Sequence, residues 1–230
     1  MKKSDYKTTE QALEYENFRF SNGLEIIAKN EESTIRNWLK NSNDLICIDL
    51  GSGTGRGLEI LLKSNVKKIY AIDQSDAMLS LLKDKFKKEI KNNKISLLKD
   101  SSSNYKLKEE SIDLVLSLHL FKHLSKITPT LININKSIKP NGLLIIDVLN
   151  KNSIINLNLD TCYALSKQEI INTLNRTGFK VEKIISIHIL GETIYKYLPW
   201  GIKNIFNLVD KYISLMLPFS TKFFILAKKK

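Results

Sequence analysis

The stretch Leu45–Gly57 reads LICIDLGSGTGRG. Leu45, Ile46, Cys47, Ile48 and Leu50 form an apolar run around one acid, Asp49, and glycine then takes every second place: Gly51, Gly53, Gly55 and Gly57. An apolar run that ends at once in glycine is a buried strand entering a tight turn. The helical pattern after Thr54, with Leu58, Leu61 and Leu62, completes a strand–turn–helix unit. Glycine suits a turn where the backbone takes unusual dihedrals and a ligand comes within van der Waals contact. The helix N-terminus above it offers unpaired N–H groups. Spacing narrows the ligand. The dinucleotide pattern G-x-G-x-x-G needs glycine where Arg56 stands, and a phosphate-binding loop needs G-K-[ST]; neither fits. On its own, the turn is also that of an ordinary α/β protein.

Outward from this unit the hydrophobic period alternates between strand and helix. Upstream, Gln11–Leu39 reads as two helices parted at Asn22-Gly23. Downstream, the pattern predicts a helix over 55–64, a strand over Lys68–Asp73, and a helix capped by Ser75 running to about Ile90. Strands follow at Lys94–Leu98 and Ile112–Leu118. A helix over Thr128–Lys139 stops at the turn signal Lys139-Pro140-Asn141-Gly142, before a strand at Leu143–Leu149. A helix over Ser166–Arg176, a strand over Phe179–Ile189 and a last strand over Phe223–Ala227 complete the series. Apolar strands alternating with helices predict a parallel sheet with helices on both faces. The final strand has no trailing helix, which suits an antiparallel partner of the strand before it. We expect one domain over 1–230, with 1–40 a helical cap and 190–221 a helical insertion between the last two strands. In that insertion Ile202, Ile205, Phe206, Val209, Tyr212, Ile213, Met216 and Leu217 recur at helical spacing. Such a stripe faces the core or, on a sharper reading, covers a substrate cavity.

The chain has 230 residues, 43% hydrophobic and 26% charged, the balance of a globular protein. Its net charge of +12 invites nucleic acid or membrane as partner, yet only four of the 36 basic residues are arginine: Arg19, Arg36, Arg56 and Arg176. Arginine is the fork-shaped donor favoured for phosphate and base edges, so scattered lysines read first as a solvated surface. The two cysteines, Cys47 and Cys162, have no metal-binding spacing and suggest a reducing compartment. No apolar segment follows Met1-Lys2-Lys3, and no run reaches the roughly 18 apolar residues of a membrane span. The expectation is a cytoplasmic protein with no transmembrane segment.

Four motifs at the predicted strand ends, in order over residues 45–150, resemble those of class I S-adenosylmethionine-dependent methyltransferases of the small-molecule type (methyltransferase type 11-like). The first is D-x-G-x-G-x-G at Asp49–Gly55, whose Gly51, Ser52 and Gly53 the resemblance places under the methionine part of the cofactor. There Asp49 would orient the ammonium group, or serve as a buried acid bonded to backbone amides. The second is Asp73, 22 residues after Gly51. An acid at this distance accepts from vicinal ribose hydroxyls, and Ser75 already supplies the helix cap. Gln74 and Met78 would flank the adenosine. The third is Lys99-Asp100-Ser101, similar to a G-D-A segment, in which Asp100 and Ser101 would meet the adenine or form a surface loop. The fourth is Ser111–Val115 with Ser117–Leu124, similar to F-D-x-V-x-S…L-x-H-L, where Ser117 and Leu118 would lie near the reacting methyl. Tyr15-Glu16-Asn17-Phe18-Arg19-Phe20 resembles a Y-x-x-x-R-F element. It would bring Tyr15 and Arg19 over the cofactor, with surface placement the other reading of Arg19.

The resemblance implies a Rossmann-like seven-stranded sheet, mostly parallel with an antiparallel last strand. It implies S-adenosyl-L-methionine as methyl donor, S-adenosyl-L-homocysteine as product and no metal. The expected activity is transfer to an oxygen or nitrogen of a small, partly apolar acceptor. No residue is singled out as catalytic, because positioning and water exclusion supply much of the rate when the leaving group is good. His119 and His123 follow the fourth strand and read either as bases or as packing residues. RNA as acceptor, less favoured, and a cofactor-binding subunit without catalysis are the alternatives. The oligomeric state is left open.

Overall fold

The structure, a computed structural model, describes residues 8–19, 24–153, 162–187, 199, 201–203, 205–207, 209–210 and 220–230. In chain order the elements are α1 (Thr9–Arg19), α2 (Leu24–Leu39), β1 (Leu45–Leu50), α3 (Arg56–Leu62), β2 (Val66–Asp73), α4 (Asp76–Lys85), α5 (Lys87–Lys91) and β3 (Ile95–Lys99). Then come β4 (Ile112–Ser117), a short 3-10 turn at Phe121–His123, α6 (Thr128–Ser137), β5 (Ile138–Asn150), β6 (Ala164–Leu165), α7 (Lys167–Arg176), β7 (Phe179–Ile187) and β8 (Lys222–Lys229).

Strands dense in Ile, Leu and Val sit side by side in one sheet, ordered β3-β2-β1-β4-β5-β8-β7, with the two-residue β6 beside β5. The neighbours β1–β2, β1–β4, β2–β3 and β4–β5 are parallel. β8 runs antiparallel to both β5 and β7. The expected sheet is therefore present, its seven long strands joined by β6. Because side chains alternate along a strand, each strand feeds two cores. Cys47, Leu114, Leu116, Ile145 and Phe224 pack with Leu58 and Leu61 of α3 and Ile35 and Leu39 of α2. Ile48, Val115, Ile146 and Ile225 pack with Leu131 and Ile134 of α6 and Ile170 and Leu174 of α7. Among the described residues no helix is long and apolar enough to cross a membrane.

Local chemistry sets the boundaries. Ser75 caps α4, its hydroxyl accepting from the Met78 N–H at 3.3 Å. α7 opens with a reciprocal capping box between Ser166 and Glu169.

Three expectations change. The helix predicted from Ser75 to Ile90 breaks at Phe86, whose φ of −114° and ψ of 32° are not helical, so it becomes α4 and α5. The predicted turn at Lys139–Gly142 lies instead within β5, as an irregularity: Ile112 pairs with Ile138 and Leu114 with Leu143, and Asn141 takes the left-handed φ of 64°. The apolar stripe of the insertion does not face the core where it is described. Residues 201–203, 205–207 and 209–210 are helical, and Ile202, Ile205, Phe206 and Val209 are all exposed. Tyr212, Ile213, Met216 and Leu217 lie outside the described residues.

Candidate active site

The carboxyl ends of β1, β2, β3 and β4 open on one edge of the sheet, where connections diverge and ligands bind in open α/β folds. The glycine turn after β1 is pinned there: the N–H groups of Gly51 and Ser52 both donate to the Ile72 carbonyl, at 2.8 and 3.1 Å. Gly51 and Gly53 adopt φ of 72° and 51°, backbone that glycine reaches without strain. A Cβ on Gly53 would meet nothing closer than 3.9 Å, so the loop presents bare backbone to open space.

Asp49 lies beneath this loop, 2% exposed. Gly57 makes room for it, since a Cβ there would fall 2.1 Å from Asp49 Oδ1. The Ser52 hydroxyl donates to the Asp49 carbonyl at 2.8 Å. Among the described residues Asp49 Oδ2 has no hydrogen-bond partner. Burial first, and the nearby Asp73 second, push the Asp49 carboxyl up to about 7. A buried acceptor without a donor is the kind of group that a ligand ammonium completes.

At the end of β2, Asp73 binds the loop itself. Its Oδ2 accepts from the Gly53 N–H at 2.8 Å and its Oδ1 from the Ser75 N–H at 2.9 Å. Burial raises its carboxyl above the usual range, opposed by those backbone donors. The Gln74 backbone is a third donor to this carboxylate, whose two oxygens offer about four acceptor positions, so capacity remains for a ligand hydroxyl. At the end of β3 the Asp100 N–H donates to the Asp73 carbonyl at 3.2 Å, and Asp100 Oδ1 accepts from the Ser101 N–H at 2.7 Å. Gln74 is exposed and Met78 buried. At the end of β4 the Ser117 hydroxyl is engaged by the Leu50 carbonyl at 2.8 Å, a tie between strands, and Leu118 is buried. The fold thus brings Asp49, Gly51, Ser52, Gly53, Asp73, Asp100 and Ser101 to one edge. Tyr15 and Arg19 fall on α1, but their side chains lie outside the described ones.

A second set at the same edge is absent from the motif reading. Glu31 of α2, wholly buried, forms ion pairs with Arg56 of α3 and Lys222 of β8. Arg56 also donates to the Ala28 carbonyl at 3.1 Å and approaches His119 Nε2 at 3.0 Å. His119 has the left-handed φ of 60°. Its N–H donates to Asp147 Oδ1 at 2.6 Å, and its Nδ1 lies 3.3 Å from Asp147 Oδ2. Burial would raise the Glu31 carboxyl, but Arg56, Lys222 and His119 together hold it well below the usual carboxylate range. Burial raises Asp147, with Lys222 opposing. The imidazole of His119 is thus engaged on both nitrogens, while the exposed His123 stands outside the cluster. The sequence did carry a signal: Glu31 interrupts the apolar stripe Ile27, Ile35, Leu39, and Asp147 interrupts LLIIDVL. A lone charge at an apolar position in an otherwise periodic element implies a buried partner.

Residues 48–146 match the family model described as a methyltransferase domain. No curated protein sequence matches the chain. Solved structures with a similar fold include a SAM-dependent methyltransferase from Aquifex aeolicus (TM-score 0.66, 16% identity, 96% of this chain and 98% of that one). Another is phosphoethanolamine N-methyltransferase 2 of Haemonchus contortus in complex with S-adenosyl-L-methionine (TM-score 0.71, 16% identity, 99% of this chain and 58% of that one). A third comes from the complex containing the Haloferax volcanii Trm112 methyltransferase activator (TM-score 0.71, 16% identity, 96% of this chain and 93% of that one). At such identity the likeness is one of fold, and that fold is the Rossmann-like one of methyltransferases. Residues 48–146 thus carry the sequence pattern of a methyltransferase domain, set in a sheet with the fold of S-adenosylmethionine-dependent methyltransferases.

Proposed function

We propose that the chain transfers a methyl group from S-adenosylmethionine to an oxygen or nitrogen of a small, partly apolar acceptor. One observation carries the site. Asp73 ties the glycine loop to the end of β2 while keeping acceptor capacity, directly beside a buried Asp49 oxygen that has no donor among the described residues. The bound donor supplies a methyl already activated by its sulfonium. In this reading Asp73 accepts the ribose hydroxyls, Asp49 faces the ammonium, Asp100 and Ser101 receive the adenine, and Leu118 walls off water beside the methyl. The loop backbone at Gly51–Gly53 is the floor. Because His119 is already bonded to Arg56 and Asp147, it acts here by holding the turn after β4 in place rather than by taking a proton. We further propose that 1–230 is one domain, with the N-terminal helices as its cap.

Asp73→Ala tests the site: it should weaken S-adenosylhomocysteine binding at least tenfold, roughly the loss of two hydrogen bonds to a charged acceptor, as read by calorimetry. Unchanged affinity in a folded variant would sink it. Purified protein with methyl-labelled donor tests the reaction. Label should appear in small extractable acceptors. Label appearing only in RNA would move the acceptor to nucleic acid, and binding without transfer to any acceptor would leave a cofactor-binding subunit.

A further inference from the structure

The helical residues 201–203, 205–207 and 209–210 are amphipathic the wrong way round for a core element. Their apolar stripe, Ile202, Ile205, Phe206 and Val209, is 42%, 64%, 39% and 47% exposed. Their polar side faces the protein: Lys203 and Asp210 are 6% and 3% exposed, and Asn207 Oδ1 accepts from Asn30 of α2 at 2.6 Å. The spacing i, i+3, i+4, i+7 makes one continuous face, and polar contacts rather than apolar ones seat the helix. Exposed apolar side chains grouped in this way mark an interaction surface, whereas single ones do not.

Charge indicates what covers it. Next to Asn30, α2 carries Lys29, and Arg36 and Lys40 are also exposed. With Lys63 they line a groove of about 720 Å³ whose one acid among the described residues, Glu32, pairs with Arg36 and Lys63 and leaves Lys29 and Lys40 as the further cations. The chain as a whole is at +12, so a second copy would meet like charge, whereas an anionic lipid surface would meet opposite charge and accept the apolar stripe. An amphipathic helix with adjoining lysines is the usual means of lying in a membrane interface without crossing it.

We infer that the exposed apolar face of Ile202, Ile205, Phe206 and Val209, with the basic side of α2, is a contact surface for anionic lipid membrane. The inference does not rest on the methyl-transfer reading. It predicts that the full chain co-sediments with vesicles of equimolar phosphatidylcholine and phosphatidylglycerol, and weakly with phosphatidylcholine alone. The double variant Ile205→Asp, Phe206→Ser should lower the partition coefficient by at least tenfold, roughly the loss of one large buried side chain. Lys29→Ala and Lys40→Ala should each lower it about fivefold, and added salt should erase that difference. All four positions are exposed, so S-adenosylhomocysteine affinity and the melting temperature should stay unchanged. Val209→Asp at the far end of the stripe provides an independent repeat should the double variant lose its fold. The inference is overturned if the folded wild type fails to co-sediment at low salt, or if the apolar substitutions leave binding unchanged. It is equally overturned if light scattering finds a dimer that those substitutions dissociate.

Discussion

Asp49 and Gly57 are one device made from two residues: the acid occupies the space where a side chain at 57 would stand. Gly57→Ala should therefore destabilise the chain by about 1–3 kcal/mol through overpacking, measured by denaturant unfolding, and Asp49→Ser in the same chain should relieve part of it. Asp49 also makes stability depend on pH. Its folded carboxyl titrates at about 7, above the unfolded value of roughly 3.9. It contributes stability that is fully present below the unfolded value and lost as pH rises through about 7. Relative to Asp49→Asn, the ligand-free protein should lose stability between those limits. If a ligand ammonium pairs with the ionised form, S-adenosylhomocysteine affinity should rise over the same window, with proton release in calorimetry. At this scale the sequence was informative where chemistry repeats: glycine spacing and an acid about 20 residues on. That Ser117 bonds a neighbouring strand was hidden, since a hydroxyl in an apolar run can serve a ligand or a carbonyl equally well.

Among the elements, α2 is held through a buried acid. Its buried face runs Ile27, Glu31, Ile35, Leu39, so an acid lies in the middle of an apolar seam and ties the helix to α3 through Arg56 and to β8 through Lys222. Removing one member of a buried pair leaves the other charge uncompensated. Glu31→Gln should cost about 3–5 kcal/mol of stability. Glu31→Gln combined with Lys222→Met should recover a measurable part of it in a double-mutant cycle. Because the Glu31 carboxyl is held low, its contribution is present above the unfolded carboxylate value and fades as pH falls through the lowered one. The cluster could not be read from motifs because its members stand at 31, 56, 119, 147 and 222. Only the sheet brings them together. The outward direction of Ile202, Ile205, Phe206 and Val209 was hidden for another reason: periodicity reveals that a helix has two faces and says nothing about which one its neighbours want.

Over the whole molecule the order of elements was legible because apolar strands alternate with helical stretches from Leu45 to Asn150, broken by the polar loop between Lys99 and Ile112. The antiparallel pairing of the last strand with the one before it was legible too; its seat next to β5 was not, since adjacency in a sheet is not adjacency in sequence. β8 lies between β5 and β7 and bonds both. Deleting residues 222–229 should therefore do more than fray an end. It removes the strand on which β7 hangs and the Lys222 partner of Glu31, and the truncated chain should lose cooperative thermal unfolding by circular dichroism. Retention of a sharp transition near that of the full chain would show that β5 and β7 can close the gap alone.

The interior seat of β8 has a consequence for synthesis. β7 ends at Ile187, and β8, its one neighbour in the sheet among the described residues, begins at Lys222. At roughly 5–20 residues per second, translation leaves β7 unpaired for a few seconds, an unpaired strand of the kind that recruits other chains. Lys180 and Lys183 within β7, against one acid, Glu182, leave that waiting segment with net positive charge. Charge of this kind, lysine above all, is what natural edge strands carry to discourage pairing with other chains.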